Sequence, residues 1–144
     1  MNWVNIGNKI ESDWYELRCK LDKGTHLKIY LDGLKNQDNH FYIDFRNVFF
    51  CKAIDESWDL NPSEILDNNN MESIVKGVLV ELTHSQLRDK LQQVYFKTFH
   101  HYQVIGINFG IDVISEKFPL IFKIPVKFYY GSSFNHLFKG PIFK

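Results

Sequence analysis

Six histidines and two cysteines are the side chains of this 144-residue chain best suited to metal binding, nucleophilic attack or proton transfer, with seventeen Asp and Glu to support them. His100 and His101 are the adjacent pair. They fall in a stretch that reads as a strand, where neighbouring side chains leave on opposite faces, so both could serve one metal only at an irregular piece of backbone. His84 and His136 would have to join them from far along the chain, and no HExxH motif or closely spaced cysteine pair supports a metal site. Cys51 could pair with a histidine as a nucleophile. It follows Val48-Phe49-Phe50, however, and reads as a buried core filler, whereas reactive thiols occupy electropositive, partly exposed settings. Asp44, Asp55 and Glu56 raise paired-carboxylate chemistry, but adjacent acids at a strand end mark more simply where the chain leaves the core. Asp112, between Ile111 and Val113, is expected to be a buried, hydrogen-bonded structural acid. No glycine-rich phosphate loop, GxSxG elbow or dinucleotide fingerprint occurs, which removes support for nucleotide hydrolysis, serine esterase chemistry and hydride transfer, and no cofactor is expected.

The element that would position most of these groups is His40–Ser57, the longest aromatic and β-forming stretch in the chain. Phe41, Ile43 and Phe45 alternate with Tyr42, Asp44 and Arg46, the period of a strand with one dry face. From Val48 to Cys51 every position is apolar, so a bulge near Arg46-Asn47 within one long strand is expected to re-aim the side chains. Before it, residues 16 to 32 read as a hairpin turning at Asp22-Lys23-Gly24, which makes a three-strand meander with residues 26 to 32 in the middle. The first dozen residues show no clean period and read as an arm or short helical turn. Trp58 to Ser73, with Pro62 and Asn68 to Asn70, reads as a long surface connection. Val78, Val80 and Leu82 alternate in a further strand, and a capping box Thr83-His84-Ser85-Gln86 opens a helix from about Ser85 to Thr98. Strands follow over 101–107 and 111–115. The clearest alternation in the chain puts Leu120, Phe122, Ile124, Val126 and Phe128 on one face, and Pro125 requires that strand to lie at a sheet edge or end at a bulge. The expected fold is therefore a single α+β domain over residues 1–144: an antiparallel twisted sheet or sandwich of six to seven strands with one main helix.

Composition bounds the partners. Seventeen basic residues balance seventeen acidic ones, so no net field draws the protein to nucleic acid or to an anionic membrane, and neither is expected as a partner. Aromatic and basic residues interleave over 96–102 and 123–130, as in stacking platforms for single strands, but the neutral total charge favours a half-covered edge strand instead. The apolar runs are too short to span a bilayer, the Met1-Asn2-Trp3-Val4 start lacks a basic and then apolar leader, and two cysteines suit a reducing compartment, so a cytoplasmic location is expected.

The segments HLKIYLD, FRNVFFCKAIDES, GVLVELTHSQL and HYQVIGINFGIDVIS, in that order, cover about half of the chain. In order and pattern they resemble small bacterial β-rich proteins, some of them assigned as immunity proteins of polymorphic toxin systems. The resemblance implies a cytoplasmic protein-binding module without catalytic activity that neutralises a toxin. The strong acidity common among blockers of nucleases is absent here. Asp55, Glu56 and Trp58, where the central stretch runs out into the long connection, are the expected partner-binding residues. Two other readings remain open: a small enzyme or ligand-binding domain using His100 and His101 with a carboxylate such as Asp112 or Glu56, and a subunit that self-associates through an exposed sheet edge.

Overall fold

The structure, a computed structural model, describes residues 3–54 and 78–125. Nine strands and one helix follow in order: β1 (Trp3–Asn5), β2 (Tyr15–Asp22), β3 (His26–Gly33), β4 (His40–Asn47), β5 (Phe50–Ile54), β6 (Leu79–Leu82), α1 (Gln86–Tyr95), β7 (His100–Ile105), β8 (Gly110–Ser115) and β9 (Leu120–Lys123). They form two antiparallel sheets, one ordered β1-β6-β7-β8-β5 and the other β2-β3-β4-β9. The α+β, mainly antiparallel architecture is thus a sandwich.

The meander is built as its alternation requires. Leu27, Ile29 and Leu31 of β3 and Phe41, Ile43 and Phe45 of β4 point inward and are buried, while Lys28, Tyr30, Tyr42 and Asp44 point outward. The facing sheet contributes Leu79, Tyr102, Val104, Ile111 and Val113 to the same core. Each such aliphatic or aromatic side chain contributes about 1.5–3 kcal/mol by leaving water, so these inward rows dominate the fold's stability. The β2–β3 turn places Lys23 and Gly24 at φ 53° and 79°, the left-handed backbone that a tight hairpin turn uses.

The long central strand is corrected. A bulge does fall where expected: β3 pairs Leu27 with Arg46 but Lys28 with Asp44, so Phe45 is the extra residue, and Arg46 takes φ 59°. Yet the chain does not continue in one sheet. After Asn47 it crosses the sandwich through Val48 and Phe49, and Phe50–Ile54 pairs with β8 in the other sheet. The uninterrupted apolar run over 48–51 reflects this passage between layers. Residues 3–5, which lack any period, form β1 by pairing with β6. This strand and the division of the central stretch account for the strands beyond the expected six to seven.

The helix is shorter than expected, Gln86–Tyr95 in place of about 85–98. Its cap is Ser85 and not Thr83 of the expected capping box: Ser85 Oγ accepts from Arg88 N at 3.1 Å, and the helix ends at Phe96 in the left-handed region. None of its residues is buried. It is tied to the sandwich at its ends instead, where Arg88 donates to Leu82 O and Gln92 accepts from Phe99 N, and the Tyr95 ring meets Phe49. β9 is shorter than the expected alternation, ending at Lys123 ahead of Pro125, and among the described residues it lies at the edge of the four-stranded sheet; Val126 and Phe128 lie outside the described residues.

Candidate functional site

Asp55, Glu56 and Trp58, the expected partner-binding residues, lie outside the described residues. His100 and His101 are both placed, and they part company as strand geometry requires. His100 Nδ1 lies 2.8 Å from Glu81 Oε2, with its ring against Phe118 at 4.5 Å. His101 points the other way, its Nε2 2.9 Å from Asp112 Oδ1. Among the described residues no group of three or more His, Cys, Asp or Glu side chains could hold a metal ion.

Asp112 is the buried, hydrogen-bonded acid the sequence indicates, and it has two partners. The β7–β8 ladder sets Gln103 directly opposite it, and Gln103 Nε2 donates to Asp112 Oδ1 at 3.0 Å. On the far side of the His101 ring, Ser85 Oγ lies 2.6 Å from Nδ1. With the ring proton on Nε2 toward the carboxylate, Nδ1 accepts from the Ser85 hydroxyl, and that oxygen in turn accepts from Arg88 N. Ser85, His101 and Asp112 therefore form a Ser-His-Asp chain, with all three residues and Gln103 buried. Gln103 Oε1 is buried without a hydrogen-bond partner among the described residues. In its order of groups the chain resembles a nucleophile, base and orienting acid, but the serine is engaged on both sides, as cap of α1 and as donor to the imidazole. Sequence reasoning missed Ser85 and Gln103. The capping box assigns the capping hydroxyl to Thr83 and so hides the serine, and the glutamine is legible only through a hairpin register that no single segment displays.

Cys51 is corrected: it is exposed, and so is Cys19. Among the described residues β5 is the outermost strand of its sheet, which leaves Cys51 at the margin of the sandwich. Desolvation still pushes both thiols up, Cys19 to about 11.

A second feature lies at the opposite margin. β9 pairs with β4 on one side, and among the described residues no strand pairs with the other. Ile124 N donates to His40 O, so the antiparallel alternation turns the N–H groups of Leu120 and Phe122 toward β4 and those of Ile121 and Lys123 outward. The face with the clearest apolar alternation is the outer one. Leu120 and Phe122 are 43% and 41% exposed, and the neighbouring Phe118 is 56% exposed, while Ile121 packs against the core. Beside this edge runs a groove of about 460 Å³, lined by Pro119, Leu120, Ile121 and Phe122 on one wall and by Ile6, Asn8 and Lys9 on the other. Lys123, which follows the lining residue Phe122, meets Glu11 Oε1 through its Nζ at 2.8 Å, an exposed pair that contributes little to stability. The residues of the second wall come from the stretch without any period, so nothing in the sequence marks them.

Comparison with protein-family models, with curated proteins and with solved structures finds no match for this chain.

Proposed function

We propose that this protein is a non-catalytic binding module that takes an extended segment of another protein as an added strand along β9. The observation that carries the reading is the groove beside an apolar strand edge whose outward N–H groups the fold leaves to one side. Strand addition uses such a row of main-chain groups for affinity and alternate side chains for specificity. Here the incoming strand would lay apolar side chains beside Leu120 and Phe122 and an acidic one toward Lys9. The resemblance to immunity proteins supports a toxin as the natural partner, met in the cytoplasm, and the neutral net charge argues for recognition by shape and backbone pairing over long-range attraction.

The test is selection of a displayed random-peptide library on the wild-type protein and on Lys123→Pro, which removes an outward N–H that no strand of the described fold uses. Peptides with alternating apolar residues and an acid should bind the wild type and lose at least tenfold in affinity on Lys123→Pro. Lys9→Glu should weaken them roughly 3–10-fold. Peptides that bind both proteins equally, or that map to α1, would overturn the site. Co-expression with the product of the adjacent gene, scored by growth rescue and co-purification, tests the toxin assignment separately.

The Ser85–His101–Asp112 chain favours a second reading, acyl transfer at Ser85. Covalent labelling of the wild type by a fluorophosphonate, lost in Ser85→Ala and in His101→Gln, would establish it. An unlabelled protein rules it out.

A further inference from the structure

Cys19 belongs to β2 and Cys51 to β5, and among the described residues each strand is the outermost of its sheet. Opposite Cys19 in the β2–β3 ladder stands Ile29, and opposite Cys51 in the β5–β8 ladder stands Val113. Both partners are fully buried core residues. Directly opposed residues share a face, so both cysteines are directed into the space between the sheets.

Contacts at the two ends of these strands fix their relative height. At one end the β7–β8 turn clasps the start of β2: Ile107 N donates to Tyr15 O, Leu17 N donates to Asn108 Oδ1, and Asn108 Nδ2 donates to Leu17 O. That turn leads directly into Gly110, the partner of Ile54. At the other end the crossing residues bridge the layers, Val48 N donating to Thr25 O and Phe49 N to Ile114 O. Thr25 follows β2, and Ile114 is the partner of Phe50. β2 and β5 therefore run past one another in opposite directions at the same margin of the sandwich. Counting inward from both ends brings Cys19 and Cys51 to about the same level. Desolvation is the main cause that pushes the Cys19 thiol up to about 11, and the charge of Cys51 is the second.

We propose that Cys19 and Cys51 form a modification site, a dithiol that a low-molecular-weight disulfide converts into an inter-sheet disulfide across the β2/β5 margin of the sandwich. The thiolate of one cysteine attacks the S–S bond of the reagent, forms a mixed disulfide and expels one reagent thiolate. The second cysteine's thiolate then attacks the protein sulfur of that mixed disulfide, forms the Cys19–Cys51 bond and expels the other. The two protons leave the protein thiols and end on the two released thiols, the reagent being reduced by two electrons and the protein oxidised by two. A high thiol pKa makes the exchange slow at neutral pH, and its rate rises about tenfold per pH unit from 7 to 9. The closed ring, roughly thirty residues, spans the meander and both sheets, so the oxidised form melts higher by roughly 10 °C.

The experiment incubates the full chain with oxidised glutathione at pH 8 and reads intact mass, free thiols and the melting temperature. The expected product is a monomer lighter by two hydrogens, with no free thiol and the higher melting temperature, and dithiothreitol reverses all three changes. Cys19→Ser and Cys51→Ser should each stop at a stable single glutathione adduct. Persistent adducts on both cysteines of the wild type, disulfide-linked dimers, or two thiols left unreacted would each overturn the proposal.

Discussion

At the scale of single residues, one heavily used polar side chain is not among those that suggest chemistry. The Asp13 carboxylate accepts from Lys35 N at 2.9 Å, Asn36 N at 3.0 Å, Asn39 Nδ2 at 3.0 Å and Trp14 N at 2.6 Å, and so ties the β3–β4 connection to the entry of β2. Desolvation alone would raise its pKa, but these four donors outweigh it and hold the carboxyl below the ordinary value of 3.8. A lowered folded pKa means that its stabilisation is present above pH 3.8 and is lost as the pH falls through the folded value. Asp13→Ala should cost about 1–2 kcal/mol in urea unfolding at pH 7, and the difference from wild type should shrink in acid below pH 3.8. A difference that stays constant with pH would contradict this role. Ser85→Ala should cost about 2 kcal/mol, because it removes the cap of α1 and leaves His101 Nδ1 buried without its donor. Ser85→Thr keeps the hydroxyl and should recover most of that loss.

At the scale of elements, tight apposition explains one glycine. A side chain at Gly106 would run into Leu17, because the β7–β8 turn presses its backbone against β2. Gly106→Ala should therefore destabilise by about 1–3 kcal/mol, and Leu17→Val in the same chain should return part of it, a coupling that a double-mutant cycle measures. The legibility of the elements follows the same logic of what a segment can reveal alone. β3 and β4 were readable because Leu27, Ile29, Leu31, Phe41, Ile43 and Phe45 repeat at the strand period, whereas for the strand before Pro125 the proline left an edge and a bulge equally open. β1 and the crossing at Val48-Phe49 were not readable, since their form depends on partners nearly eighty and over sixty residues away, respectively, Leu82 and Ile114. The end of α1 was overrun because residues 96–98 carry no helix-breaking signal, while the left-handed turn at Phe96 is set by its return to β7. The wall of the groove formed by Ile6, Asn8 and Lys9 was invisible for the same reason as β1. Cys51 was misjudged because three apolar neighbours in sequence do not distinguish an edge strand from a central one.

At the scale of the whole molecule, the two halves of the described chain exchange strands. Residues 3–54 supply the β2-β3-β4 meander and also β1 and β5, which flank the other sheet on both sides. Residues 78–125 supply β6, β7 and β8 between them and lend β9 to the meander. A break between Ile54 and Val78 thus leaves every described strand intact while separating each sheet from its own margins. The molecule should therefore behave as a natural split protein. Each half made alone carries unpaired edges and an uncovered apolar face, and should aggregate. The two halves co-expressed should assemble into a soluble 1:1 heterodimer with the circular dichroism of the intact chain. Size-exclusion chromatography of differently tagged fragments checks this, and two separately soluble halves would show that the exchange is not what joins them. Such a pair would be a reporter whose signal depends on neighbouring strands finding each other, which turns the strand exchange into a means of sensing proximity.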